Sequence, residues 1–380
     1  DTASHWSAFG QAVLMVLIQI GGLGVITVGA SFSLLSGRRI SLSQRGRMQE
    51  AMSAPKVGGI VRLTGFVIRT SLMIEGIGAL CMLPVFCRDF GVSGIWKAVF
   101  HSVSAFCNAG FDLMGTPDTP FVSLTAYSAD PVINLTISAL IVVGGIGFLT
   151  WDDVRCNRLC FHRYRLQSKV ILTATVLLIL LPTLYFFCFE FKGGTQRERL
   201  LLSLFQSVTP RTAGFNTADY TSLSSSGRGL TILLMFIGGS PGSTAGGIKT
   251  TTAAVLVANA FAVFRRQKSP EMFGRRMEEK AVYDAAAIFT LYLVLSLTGA
   301  FVIGTVEGLP LSECLFETTS AIATVGLSLG LTPHLGIVSQ GILIFLMFIG
   351  RVGGLTMIYA ALSGSKCSIA RLPQERITVG

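Results

Sequence analysis

A twelve-residue stretch, Phe205-Gln-Ser-Val-Thr-Pro-Arg-Thr-Ala-Gly-Phe-Asn216, has two relatives elsewhere in the same chain, and each version lies between two segments long and apolar enough to cross a bilayer. Phe100-His-Ser-Val-Ser104 leads to Asn108-Ala-Gly-Phe111, and Phe316-Glu-Thr-Thr-Ser320 leads to Thr324-Val-Gly-Leu327. The glycine follows its phenylalanine by ten, nine and ten residues (100 to 110, 205 to 214, 316 to 326). The pattern predicts a short amphipathic helix that ends in a glycine loop. Non-helical backbone at membrane depth is tolerated only where protein buries it or where it lines a watery path. A loop of this kind used three times therefore points to a pore.

Composition agrees. The chain is 51% hydrophobic and 13% charged, with a mean hydropathy of +0.64, which describes an integral membrane protein. The net charge of +10 would suit a nucleic-acid partner only if it were spread along one face. Instead segments 36–62, 151–169, 264–280 and 364–380 carry six, five, six and three of the 30 Lys and Arg. They alternate with the glycine loops, as the positive-inside rule requires of cytoplasmic segments, so no nucleic acid is expected. The eight cysteines share no spacing and read as free thiols. Cys156, Cys160 and His162 lack a fourth ligand for a metal.

Apolar spans are expected over about 9–35, 60–86, 131–151, 170–189, 281–306 and 337–362, with a further segment, 228–257, interrupted at Gly238-Gly-Ser-Pro-Gly-Ser-Thr-Ala-Gly-Gly247. A continuous helix cannot hold that run. Arg69 and Glu75 in the second span are costly in lipid and are expected to face protein or each other. Ile20-Gly-Gly, Val143-Gly-Gly, Ile237-Gly-Gly and Ile349-Gly-Arg align as four copies of one motif, with Arg351 where the others have Gly22, Gly145 and Gly239. Gly21, Gly24, Gly144 and Gly147 read as close helix-packing positions. Loop glycine and motif glycine are 34, 24 and 24 residues apart (110 to 144, 214 to 238, 326 to 350). Applied to Gly21, either distance falls before residue 1, so the first unit is expected to be truncated, without its leading helix and loop.

The fold class expected is an all-α integral membrane protein of four pseudo-symmetric helix, pore-loop, helix repeats around a central ion pore. The divisions are 1–50 (the second helix of repeat 1 and a cytoplasmic loop), 51–165 (repeat 2), 166–275 (repeat 3, with a broken pore helix) and 276–380 (repeat 4 and a C-terminal tail). Such units can aim half-helix C-termini at an axis, where the helix dipole favours a cation, while glycine loops offer carbonyls in place of water.

These residues resemble the Trk/Ktr/HKT superfamily of potassium transporters, and within it the membrane subunits of bacterial Ktr uptake systems. The resemblance covers essentially the whole chain. It is carried by Asn108-Ala-Gly-Phe111, Thr212-Ala-Gly-Phe-Asn216, Thr324-Val-Gly-Leu-Ser-Leu-Gly330, Gly238-Gly-Ser-Pro-Gly-Ser-Thr-Ala-Gly-Gly-Ile-Lys249 and Arg351. It implies a selectivity filter at Asn108, Ala109, Gly110, Thr212, Ala213, Gly214, Thr324, Val325 and Gly326, with potassium bound by backbone carbonyls. It implies an intramembrane gate at Gly238, Gly239, Ser240, Pro241, Gly242, Ser243, Thr244, Ala245, Gly246 and Gly247, with Arg351 projecting into the pathway below the filter. It further implies potassium as the transported ion, sodium as an assisting one, a multi-pass protein of the bacterial plasma membrane surrounded by lipid, a homodimer, and a cytoplasmic RCK-type nucleotide-binding regulatory ring.

A secondary transporter of another small solute, built on broken helices, stands as the alternative reading, although such repeats are typically inverted. An enzyme would need converging ionisable groups at membrane depth. His101, Gln206 and Glu317 hold equivalent places in the three half-helices and read as polar packing or capping groups. The segment 242–250 superficially resembles a phosphate-binding loop. Ile248 separates its glycine from Lys249 and no strand precedes it, so no nucleotide site is expected in this chain.

Overall fold

The computed structural model describes residues 2–24, 59–158, 160–267 and 269–353, with the single positions 46 and 49. Arg38, Arg39, Arg45, Arg47 and the tail 364–380 lie outside the described residues, as do the parts of the first and last expected spans beyond 24 and 353.

Twelve labelled helices follow in chain order: α1 Ala8–Leu23, α2 Ile60–Phe90, α3 Ser93–Phe106, α4 Pro131–Ile146, α5 Phe148–Asn157, α6 Leu166–Tyr185, α7 Gln196–Val208, α8 Ser225–Phe236, α9 Thr250–Phe264, α10 Glu279–Glu307, α11 Leu311–Ile322 and α12 Ile337–Val352. A π-helical turn, Phe186–Glu190, extends α6. A small antiparallel hairpin, β1 Glu271–Met272 and β2 Arg275–Arg276, joins α9 to α10.

Three stretches are long and apolar enough to cross a membrane: Ile60–Phe90, Leu166–Glu190 and Glu279–Glu307. Each is followed by a half-helix of 14, 13 or 12 residues. At 1.5 Å per residue these reach only about 20 Å, short of a hydrocarbon core about 30 Å thick. Each half-helix packs along the long helix before it, α3 on α2, α7 on α6 and α11 on α10. The motif phenylalanines Phe100, Phe205 and Phe316 are fully buried, Phe316 against the ring of Tyr220.

Helix starts follow local chemistry. Thr195 and Glu198 form a reciprocal capping box on α7, and the Asp130 carboxylate accepts from Val132 N at 2.8 Å, with Pro131 in the first turn of α4. A carboxylate at the end of a long helix also ties down the N-terminus of the second helix. Glu190 accepts from Ser224 N at 3.0 Å, ahead of α8, and Glu307 accepts from Gly336 N at 2.9 Å, ahead of α12.

The span expected over 131–151 is not continuous. α4 and α5 meet at Gly147 with a bend of 92°. Gly147 has φ 96° and ψ 142°, Gly24 has φ 87° and ψ 133°, and Gly353 has φ 91° and ψ 128°. Only glycine adopts this region readily, so Gly24 and Gly147 end helices rather than serve helix packing. Gly144 does serve packing, because a methyl group there would strike the Phe106 carbonyl at the end of α3. The expected break in the third unit is present, but it falls between α8 and α9, and the half-helix α7 is continuous. Arg69 and Glu75 do not pair. Arg69 is exposed, whereas Glu75 is buried and accepts from Gln19 Nε2 at 2.9 Å.

Candidate ion pathway

Each half-helix opens into a loop of one geometry. The carbonyls of Ser104, Thr209 and Ser320 accept from the amides of Ala109, Ala213 and Val325 at 2.9, 3.0 and 2.9 Å. The residue before each of these amides has positive φ (Asn108 50°, Thr212 71°, Thr324 54°), and so does the glycine after it (Gly110 73°, Gly214 81°, Gly326 88°). This breaks the alternate-sided carbonyl pattern of an extended strand. Asparagine tolerates the left-handed region, but two β-branched threonines there are strained, at a cost on the order of 1–3 kcal/mol each. Thr209 lies one residue nearer its glycine than Ser104 or Ser320, which accounts for the nine-residue spacing in the third copy.

The loops meet. A methyl group on Gly110 would collide with the Ala213 carbonyl, and one on Gly214 with the Val325 carbonyl. Behind them the side chains at 101, 206 and 317 hold the segments that follow each glycine. Leu113 N donates to His101 Nε2 at 3.3 Å, Gln206 Nε2 to Thr217 Oγ1 at 3.3 Å, and Leu329 N to Glu317 Oε1 at 2.8 Å. The expected packing role is thus a hydrogen-bonded one. Asn108 Oδ1 and Thr212 Oγ1 are buried without a hydrogen-bond partner among the described residues.

The break 238–247 does not float beneath the loops but is bound to them and to the bend at Gly147. Gly238 N donates to Ile248 O and Thr250 N to Gly239 O, both at 2.9 Å, closing the base of the break. Ser240 N donates to Gly145 O at 2.9 Å, Thr244 N to Gly144 O at 3.3 Å, and Phe148 N to Gly242 O at 2.8 Å. Backbone groups freed by two helix breaks therefore satisfy each other, as a low-dielectric setting demands. Thr244 Oγ1 donates to Phe106 O at 3.0 Å and accepts from Asn108 Nδ2 at 3.0 Å. A methyl group on Gly246 would overlap Thr324 Oγ1, and one on Gly238 would lie 3.0 Å from Thr212 Cγ2. The break thus touches the first residue of all three loops.

Arg351 is exposed at the end of α12 and donates through Nη2 to the Gly21 carbonyl. None of the ion pairs formed among the described residues includes it, and Glu75 is held by Gln19 instead. Lys249, just beyond the expected break, also belongs to this site: its Nζ donates to Ala245 O at 2.8 Å. A lysine in an otherwise apolar segment was the available signal. The hydrogen bond from Asn108 to Thr244 spans 136 residues and left no trace in local sequence.

The TrkH cation transport protein family matches residues 1–366. The potassium/sodium uptake protein NtpJ of Enterococcus hirae is 39% identical over all of this chain and 85% of its own length. The Ktr system potassium uptake protein B is 38% identical in Bacillus subtilis and 34% in Vibrio alginolyticus, again over all of this chain and over 85% and 84% of those proteins. The crystal structure of the potassium transporter TrkH from Vibrio parahaemolyticus shares the fold with a TM-score of 0.71 at 18% identity, over 92% of this chain and 72% of that one. With its apolar spans and these relatives, the chain is a multi-pass protein of the bacterial plasma membrane and not an enzyme. It belongs to the TrkH family of cation transport proteins.

Proposed function

We propose that this chain takes up potassium through a glycine-lined filter formed by residues 108–110, 212–214 and 324–326, gated from below by the break 238–247 together with Arg351. The carrying observation is that three loops of one backbone geometry adjoin while the broken segment packs against the first residue of each. The half-helices α3, α7 and α11 end at these loops, so their dipoles favour a cation there. The unpartnered Asn108 Oδ1 and Thr212 Oγ1 add acceptor oxygen at the same level. Four pseudo-symmetric repeats around one pathway, divided as at 1–50, 51–165, 166–275 and 276–380, are part of the reading. The closed state combines two barriers, a loop that blocks the path and cationic side chains that repel potassium.

Sodium assistance agrees with the name of the Enterococcus hirae relative. The word "system" in the names of the Ktr relatives supports a partner component, which we take to be a cytoplasmic nucleotide-binding ring acting on a homodimer. Potassium uptake by proteoliposomes carrying the full-length protein, with sodium present and absent, tests the function. Potassium-selective flux is the expected result, and flux of another solute without potassium movement would overturn it.

A further inference from the structure

We propose that Glu317 is a positioning residue that braces the fourth-unit loop and thereby sets the preference for potassium over sodium. The inference rests on reading residues 324–326 as filter.

Three equivalent positions do the same job with unequal strength. His101 receives one amide at 3.3 Å, and because that amide is the donor, Nε2 is the acceptor and Nδ1 carries the hydrogen that faces Lys97 O at 2.7 Å. Gln206 makes one contact of 3.3 Å between side chains. The Glu317 carboxylate receives three donors: Leu329 N at 2.8 Å, Ser328 Oγ at 2.8 Å and Thr332 Oγ1 at 2.7 Å. It is 4% exposed, and none of the ion pairs among the described residues includes it.

Hydrogen bonds to an ionised acceptor are shorter and roughly twice as strong as neutral ones. A low local dielectric strengthens them further. Residues 327–331, which follow Gly326, have no helical or strand ladder of their own ahead of the 3-10 turn Thr332–His334, and glycine leaves the backbone free to deform. Its position is therefore imposed from outside, and the carboxylate on α11 imposes it. Ion discrimination by carbonyl oxygens depends on the placement or on the number and field of those oxygens. On either account a loop released from its brace discriminates less.

The test measures relative potassium and sodium flux in proteoliposomes of the full-length protein. Glu317→Ala should lower the preference tenfold or more. Glu317→Gln, which keeps an acceptor for Leu329 N and removes the charge, should stay within about threefold of the parent. The double variant Ser328→Ala with Thr332→Val removes two donors at half-buried positions and should lie between them. It decides the matter if Glu317→Ala does not fold. Parent-like preference in both Glu317→Ala and the double variant would overturn the inference. So would a loss in Glu317→Gln as large as in Glu317→Ala, because the charge would then act directly on the ion. Gly214→Ser is measured in parallel. If it lowers preference while the Glu317 set does not, only the brace fails; if none of them changes preference, the filter reading fails too.

Discussion

Replacing Gly246 with alanine tests the proposed gate at the point where the break 238–247 touches Thr324 of the proposed filter. Gly246 has no positive φ, so alanine brings no backbone strain. Its new methyl group lies well inside the 3.0 Å limit to Thr324 Oγ1, with Thr324 Cβ at 3.2 Å and the Ala323 carbonyl at 3.4 Å. Adding a methyl group to a packed interior costs about 1–3 kcal/mol. On the proposed gating, the overlap exists only while the loop is seated. The cost therefore falls on the closed arrangement and moves the balance toward the unseated loop by roughly 5- to 150-fold.

Potassium flux through reconstituted full-length protein should rise accordingly, up to the limit set by the open pathway. Thr324→Ala removes the opposing hydroxyl, so the double variant should show flux close to that of Thr324→Ala alone. The cycle isolates the contact from any separate effect of Thr324 on the filter. A Gly246→Ala protein that folds normally and conducts no more than the parent would refute the reasoning, as would an increase that Thr324→Ala leaves untouched.

Gly214→Ser should lower the preference for potassium over sodium in a protein that still folds, because a side chain at φ 81° is strained and drives against the Val325 carbonyl; relative ion affinity, measured by competition, checks it. Arg351→Ala should raise potassium flux without loss of folded yield, since the guanidinium donates to the Gly21 carbonyl and forms no ion pair with a buried acid among the described residues; a drop in yield together with unchanged flux would instead mark it as structural. Neutralising Arg265 and Arg266, which lie just before the hairpin 271–276, should reduce co-purification of a cytoplasmic partner, and undiminished retention at high salt would argue that these charges only orient the chain.

Hydropathy, charge alternation and the spacing of three glycine motifs were enough to specify a membrane protein with short half-helices that end in glycine loops. Each of those signals is local: a run of apolar side chains sets a span, and a glycine after an amphipathic turn sets a chain reversal. The buried anchors Phe100, Phe205 and Phe316 and the positive φ of Gly110, Gly214 and Gly326 follow from the same short-range chemistry. Gly147 marks where local information ran out. Its motif permits an end to the helix, but the 92° bend to α5 exists because Phe148 N finds the carbonyl of Gly242, some 94 residues away, in place of a partner in its own helix. Likewise glycine and proline announced a break at 238–247, while its hydrogen bonds to Gly144, Gly145 and Phe148 and its contacts with Asn108, Thr212 and Thr324 arise only when segments far apart in the chain are brought together. Arg351 was visible as a charge in an apolar helix, but its partner could not be read from spacing, because a backbone carbonyl on α1 carries no side-chain signature. Unsatisfied backbone groups at membrane depth must find partners wherever the tertiary structure supplies them, and those partners belong to the assembled fold rather than to any one stretch of sequence.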